Sequence, residues 1–543
     1  MQSKINENKD QVKREEKLVL EVYEDFTTRQ KARLPLERQW QLNMNFLTGN
    51  QYQKVTSHGE IADENKTFFW QNRGVFNHIA PIMETRLAKL REVSPVISVR
   101  PKSDDDKDVL DANLSEKLIE ETFKVAGIDK TVKKVTAWSE TCGTGFYKIV
   151  WNNSGGQELG KLDGQSVFEG EVEIIPVSPF EIFPDNLYVE DIKDCNSIIH
   201  ARVMSTKDVF NKYGVLVEGE DVDVYDLTCL EGNSIAKKKD KSVIHDAVTV
   251  IERYEKPSKE MPDGRLITIA GGKLLYEGNL PYINGERASK TFPFVKQNSI
   301  VNAGRFFGYS VIERLIPVQR AFNAVKNRKH EFLNRLSMGV MMVEDGSIDV
   351  DDLVEEGLSP GKVLVYRQGA KTPEIMSETN MPEDFTEEEN KLINEFVIIS
   401  GVSDVTSSSA NASVSGSTAL EILIEQDNSR MLPVAQEIRE CYLEIARQTL
   451  RLYAQFMAGA KVIRRRDAFG KIKLFCVEKN ALVSDDVYLE NENELLYSNR
   501  QRKDMIFKLY DSGILTDEDG RLRPSVKAKV LSLLGYKDLD YKQ

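Results

Sequence analysis

Nothing in these 543 residues is long and apolar enough to cross a bilayer, which takes about 20 consecutive apolar residues. The opening stretch, Met1 to Asp10, is polar and lacks the apolar core of a signal peptide, so the chain reads as a soluble protein made in the cytoplasm. Cysteine is scarce. Cys142, Cys195, Cys229, Cys441 and Cys476 lie far apart with no CxxC pair, which argues for reduced thiols and against a disulfide framework or zinc site. The five histidines are equally scattered, and none belongs to an HExxH pattern. An excess of basic charge is also missing. The formal net charge of -13 argues against a protein that blankets DNA phosphates, because such binding draws on Lys and Arg clusters. A local basic stripe, or a pore that passes DNA without gripping it, stays compatible with that charge. No catalytic motif is complete. Gly155-Gly-Gln-Glu-Leu-Gly-Lys161 has the spacing of a phosphate-binding loop, but Leu162 stands where a hydroxyl is needed for Mg²⁺ and no helix follows. A surface hairpin is expected there, with no cofactor, no metal and no catalytic residue in the chain.

What is present is a long chain with ordinary composition, enough for two to four domains. Residues 9–45 have helical periodicity, with a division expected at Pro35. Phe76-Asn-His-Ile-Ala-Pro81 opens a further helix to about Val93, and Val96 to Pro101 alternates like a strand. The charge run Asp104 to Asp108 suits the start of a helix from Val109 to Ala126. A helix from Thr131 to Ser139 leads through Cys142-Gly-Thr-Gly145 into a strand, Phe146 to Trp151. Strand signals return at Val172, at Val248 to Tyr254, at Leu266 to Ile269 and at Phe292 to Phe294. Residues 70 to about 300 are therefore expected to form an α/β or α+β domain rich in antiparallel strands.

Three helix-length segments follow, each opened by a capping-box pattern: Ser310 with Glu313, Thr386 with Glu389, and Thr418 with Glu421. The first repeats Val311, Leu315, Val318, Phe322, Val325, Phe332 and Leu336, with a kink or a fresh start expected at Pro317. The second carries Leu392, Ile393, Phe396, Val397 and Ile399 as its buried stripe and stops at Gly401. The third spans Thr418 to Phe456, roughly 58 Å at the helical rise, with a kink expected at Pro433. Arg320, Lys326, Arg328, Lys329 and Arg335 gather on the first helix, either as a solvated face with subunit salt bridges or as contacts to a phosphate backbone. The segment from Gly339 to Asp384 crowds Glu344, Asp345, Asp349, Asp351, Asp352, Glu355 and Glu356, giving a soluble surface loop or a docking face for a basic partner. Between the second and third helices, Ser403 to Ser417 is small and polar, including Thr406, Ser407, Ser408, Ser409, Asn411, Ser413 and Ser415. In a monomer that is a linker. In a ring it would project nearly uncharged fingers at the axis, a surface along which DNA slides.

These features occur in an order that resembles a tailed-bacteriophage portal protein of the P22-like/SPP1-like kind. The resemblance rests on Phe46-Leu-Thr-Gly-Asn-Gln-Tyr52, Asn77-His-Ile-Ala-Pro81 and Ser94-Pro-Val-Ile-Ser-Val-Arg-Pro101. It continues with Gly143-Thr-Gly-Phe-Tyr-Lys-Ile-Val-Trp-Asn152, Pro176-Val-Ser-Pro-Phe-Glu-Ile182, Gly308-Tyr-Ser with Gln319 and Asn323, and Ile399-Ser-Gly-Val-Ser-Asp404. It implies an α+β multidomain portal fold with an α/β wing, long stem helices, a small α/β clip and a helical crown. N-terminal helices and wing would occupy 1–308, the first stem helix 309–337, the clip 338–385 and the second stem helix 386–401. The tunnel loop would be 402–417, the kinked helix and return to the wing 418–496, and a short crown 497–543.

The resemblance also implies a non-enzymatic homo-oligomer, a ring usually of about twelve subunits with heterologous contacts. Such a ring sits at one vertex of the capsid in the virion, after assembly in the bacterial host cytoplasm. It passes double-stranded DNA in packaging and ejection. Its expected partners are the large terminase, head-tail adaptor proteins, scaffold and major capsid proteins, with no membrane. A DNA-packaging or processing enzyme (ATPase or nuclease) and a monomeric minor head or adaptor protein are the alternatives.

Overall fold

The chain opens on one 47-residue helix, α1 (Gln2–Thr48), in the computed structural model. The structure describes residues 2–56, 61–63, 73–162, 165–223, 243–284, 289–338, 340–348, 365–372, 374–376, 383–402, 417–457, 459–466, 472–482, 484–489 and 507–512. Pro35 lies inside α1 and does not divide it, contrary to the sequence expectation. A proline inside a helix costs about 3 kcal/mol locally, so anchors must hold both sides of it. On one side Arg33, only 1% exposed, donates to the carbonyl oxygens of Pro179, Phe180 and Ile182 and lies 3.6 Å over the Phe183 ring. On the other, Trp40 packs edge-on against Phe180 and Phe307 at 5.2 and 5.1 Å. Nearer its start, α1 lays Leu18, Val19, Val22 and Phe26 on Ile199, Ile251, Ile267 and Ile269.

Those isoleucines belong to a six-stranded antiparallel sheet. Its main path runs Lys273–Gly278, Arg265–Ala270, Val243–Glu255, Ser197–Ser205, Ile182–Pro184, with Glu220–Asp223 paired beside Val243–Glu255. A three-stranded sheet has Thr144–Asn152 between Glu171–Val177 and Phe294–Asn298. Antiparallel pairing throughout this region agrees with the strand-rich expectation for residues 70–300. A buried polar cluster ties the two sheets: Lys148 pairs with Glu252, His200 Nδ1 lies 3.2 Å from Glu252, and the Tyr254 hydroxyl donates to the same carboxylate at 2.8 Å. Burial opposes the charge on Glu252, yet Lys148 and then His200 hold its pKa well below the usual carboxylate value.

Helices α3 (Asp106–Ala126) and α4 (Ile128–Cys142) flank the three-stranded sheet, and α2 (Ile79–Leu90) packs on α4 and α1. Gly127, at φ 62°, ends α3 and starts α4 without a linker. The short α5 (Thr206–Tyr213) packs on the larger sheet. Then come α6 (Val311–Met338), α7 (Asp384–Ser400) and α8 (Ser417–Phe456). Along its length α8 buries Met431, Val434, Ile438, Ile445 and Leu450 against Tyr147, Ile149, Val172 and Val295. Ile97–Val99 pairs with Val487–Leu489, so the late chain closes onto the early domain. The glycine-rich decoy enters an antiparallel hairpin, Glu158–Leu162 with Gln165–Phe168, as expected; Lys161 sits in a strand and cannot serve a helix N-terminus.

Candidate functional site

Ser310 sets the start of α6. Its Oγ accepts from the Ile312 N–H at 3.0 Å, one residue short of Glu313, while the Glu313 carboxylate accepts from the Ser310 N–H at 3.3 Å, so the carboxylate half of the expected capping box forms and the hydroxyl caps Ile312 instead. The Ser310 hydroxyl also donates to the Glu140 carbonyl oxygen at 2.5 Å. From there α6 is continuous past Pro317, which therefore begins no new helix. Val311, Leu315, Val318 and Phe322 are buried, as their spacing predicts.

A second face of α6 is polar and also buried. Gln319, Asn323 and Asn327 stand one helical turn apart, and their side-chain oxygens accept from the backbone N–H groups of His78, Phe76 and Gly74 at 3.0, 3.0 and 2.9 Å. Gln319 Nε2 returns a bond to the Phe76 carbonyl at 2.8 Å, and Asn327 Nδ2 to that of Gly74 at 3.0 Å. Asn323 Nδ2 donates to Gln51 Oε1 at 2.7 Å. The extended segment before α2 thus lies along α6 with its alternate amides satisfied by side chains. The sequence shows the four-residue spacing of these amides but not what they bind.

α7 returns antiparallel to α6: Phe396 meets Phe322 edge-on at 6.0 Å, and Phe385 meets Phe332 at 6.2 Å. It begins at Asp384, not Thr386, so the second capping box does not form. Its Glu389 instead takes ion pairs from Lys326 and Lys329 of α6. Burial works against the Glu389 charge, but those two lysines outweigh it and lower the pKa. Ile393 is a second correction. It is 37% exposed, because Leu392, Phe396 and Ser400 form the buried stripe. His78 wedges between the helices, 4.5 Å from the Phe322 ring and 5.3 Å from Phe396.

The end of α7 is clamped. Gly401, at φ 68°, closes it with an N–H bond to the Val397 carbonyl, as its position predicts. Arg430 of α8 donates to the Ile398 carbonyl at 2.9 Å, and Arg86 of α2 to the Ser400 carbonyl at 2.8 Å. Cations are favoured at this end of a helix by its dipole. Arg86 is itself held by Glu140 of α4 at 2.6 Å, a carboxylate with 0% exposure that also accepts from the Ser299 hydroxyl at 2.6 Å. Sequence periodicity gives no hint of Arg86, Glu140 or Arg430, because partners so distant in the chain meet only in the fold.

The polar segment with Thr406, Ser407, Ser408, Ser409, Asn411, Ser413 and Ser415 lies outside the described residues. Its far flank is the start of α8 at Ser417, one residue before Thr418, and Pro433 lies inside that helix. Among the basic residues, Lys326 and Lys329 are taken up by Glu389, and Arg320 donates to the Gln53 carbonyl at 2.7 Å. Arg328 is exposed; the Arg335 side chain lies outside the described residues. In the acidic module, Val340–Met342 pairs with Glu374–Met376, and Glu344 and Asp345 are exposed at the turn after the first strand. Asp349, Asp351, Asp352, Glu355 and Glu356 lie outside the described residues.

A family model described as phage P22-like portal protein matches residues 24–496, from within α1 to beyond the last described strand of the core. The chain belongs to the phage P22-like portal protein family. No curated protein matches it. As a portal protein it is a structural component of the bacteriophage head-tail connector with a part in genome packaging, and its mixed α+β architecture fits that family. Ring assembly and capsid and terminase partners belong to the family in general. Among the described residues no helix is long and apolar enough to cross a membrane, and no group of His, Cys, Asp or Glu could hold a metal ion.

Proposed function

We propose that this portal protein forms a ring of about twelve copies at one capsid vertex, closed by heterologous contacts, and that double-stranded DNA passes through its axis. In this reading residues 1–308 are the N-terminal helices and wing, 309–337 and 386–401 the two stem helices, 338–385 the clip between them, 402–417 the tunnel loop, 418–496 the kinked helix and return to the wing, and 497–543 the crown. The observation that carries the reading is the clamp at the end of α7. A polar segment with almost no charge follows a helix whose last carbonyls are fixed by Arg86 and Arg430, so the segment departs from a rigid base. DNA moving past such a segment meets no cation able to hold its phosphates. Large terminase and head-tail adaptors dock at the clip, where Glu344 and Asp345 lie exposed, and scaffold and major capsid proteins contact the wing.

The test is deletion of Ser407 to Ser415. Rings seen by negative stain should persist with their central hole, while packaged or retained DNA falls. Loss of the rings themselves would contradict the loop assignment, and a wild-type protein that stays monomeric at every concentration, even with scaffold present, would refute the ring.

A further inference from the structure

Past the end of α8 the chain forms a two-stranded antiparallel hairpin, Lys461–Arg466 with Ile472–Val477. One face of it belongs to the core. Ile463 and Val477 are buried there, Phe475 packs beside them, and Lys461 donates to the Tyr453 hydroxyl at 2.8 Å. The register puts the pairs Val462 with Cys476, Arg464 with Leu474 and Arg466 with Ile472 on the other face. That face is uncovered: Leu474 is 65% and Val462 46% exposed, and Cys476 is exposed. In a chain of net charge -13 the two strands carry Lys461, Arg464, Arg465, Arg466 and Lys473 and no acid. A cleft of about 450 Å³ has the opposite charge. Glu437, Glu440 and Glu444 of α8 line it together with Glu190 and Asp191. Of its cations, Lys193 and Arg447 each lie 3.8 Å from Glu444, and Lys296 donates to the carbonyl oxygens of Glu190 and Phe306. Glu190, Asp191, Glu437 and Glu440 form no ion pair among the described residues. Two observations set hairpin and cleft apart. The cleft residues of α8 lie roughly 180° round the helix from Tyr453, which meets the hairpin. In the three-stranded sheet, Phe294–Asn298 at the cleft is one edge, and Glu171–Val177, whose Glu171 lies 3.9 Å from Lys461, is the other.

We propose that the uncovered face of this basic hairpin in one copy docks in the acidic cleft of the next copy; this rests on the ring reading above and names a seam that closes it. A heterologous ring needs two unlike, complementary surfaces on different sides of the subunit, and the chain has them at opposite edges of one sheet. The arginines meet carboxylates that make no ion pair within their own chain. Val462 and Leu474 add an apolar contact to Val301, which lines the cleft and is 56% exposed. Two-fold pairing is opposed by the same charges. Hairpin against hairpin sets arginine against arginine, and cleft against cleft sets carboxylate against carboxylate, so head-to-tail closure is selected.

The test uses full-length protein. One variant carries Arg464→Glu and Arg466→Glu, making the hairpin face acidic like the cleft. The other carries Asp191→Lys and Glu440→Lys, both at exposed positions, making the cleft basic like the hairpin. Each variant alone should need at least roughly tenfold more protein to form rings, by mass photometry, with thermal unfolding unchanged. Mixed in equal amounts they should form rings again, because alternating copies restore opposite charges at every contact. One chain carrying all four substitutions should assemble as well, which keeps the test open if a pair of changes unfolds the protein. Glu440→Cys gives a readout independent of charge. A bismaleimide should join it to the native Cys476 of another copy, giving a ladder on a denaturing gel that Cys476→Ser abolishes. Normal rings from either charge variant alone, no rescue on mixing, or no ladder overturns the seam while leaving the ring reading standing. Normal rings that bind duplex DNA more weakly would assign Arg464 and Arg466 to phosphates and also overturn it. A wild type that never forms rings refutes the ring reading itself.

Discussion

Arg86 and Glu140 are buried together, and among the described residues the ion pair each makes is with the other. Arg86→Leu should strand the Glu140 carboxylate and destabilise the protein by about 3–5 kcal/mol in denaturant unfolding, because an unpaired buried charge is costly. Adding Glu140→Gln removes the stranded charge and keeps an acceptor for Ser299, so a large part of the loss should return. His78 gives a pH signature. Burial first, and the nearby Lys326 second, lower its pKa below that of a free imidazole, while Glu389 pulls the other way. The unfolded chain therefore takes up a proton at a higher pH than the folded one. The stability His78 supplies is complete above about pH 6.5 and is lost as pH falls through the lower folded value. His78→Phe keeps the aromatic contacts and should flatten the stability profile between about pH 7.5 and 5; an unchanged profile would discount the residue. None of this was legible beforehand. A histidine in Asn77-His-Ile-Ala-Pro81 looks like a motif, and only the fold sets it between Phe322 and Phe396.

At the scale of elements, periodicity and end signals succeeded where they reported local physics. The apolar repeat of α6, the stop at Gly401 and the glycine-rich hairpin could be read from neighbours along the chain. They failed where tertiary anchors overrode them. Pro35 is spanned because Arg33 and Trp40 fix α1 on both sides, and Thr386 lost its capping role because Glu389 faces two lysines across the hairpin. Two substitutions probe the elements directly. Asn323→Ala would leave the Phe76 N–H and Gln51 Oε1 without their bonds, at a cost of about 1–3 kcal/mol, and should raise amide exchange in residues 74–78. Gly401→Ala would force a side chain into left-handed backbone, with its Cβ 3.0 Å from Arg430 Cδ. About 1–2 kcal/mol should be lost, with faster exchange confined to the last turn of α7.

For the whole molecule, the order of motifs identified the architecture, but the chain gave no sign of how its parts are held at fixed distances. Neutralising Glu344, Asp345, Asp349, Asp351, Asp352, Glu355 and Glu356 to their amides should leave rings intact and weaken a basic adaptor. The weakening should be largest at low salt; equal binding at all ionic strengths would remove the acidic module from docking. The α6–α7 hairpin, in contrast, is held at one height above the domain built on the two sheets. That height is set by the contact of Gln319, Asn323 and Asn327 with residues 74–78. Four helical residues climb about 6.0 Å, and two extended residues span about 6.6 Å, so the two scales stay in step for only a few repeats. The next positions along the helix are Leu315 and Glu331, which carry no amide. The contact is therefore a vernier with a single matching setting. Sliding the hairpin by one turn would strand two partners at once, so each copy of the chain sets its hairpin at the same level without any neighbour to align it.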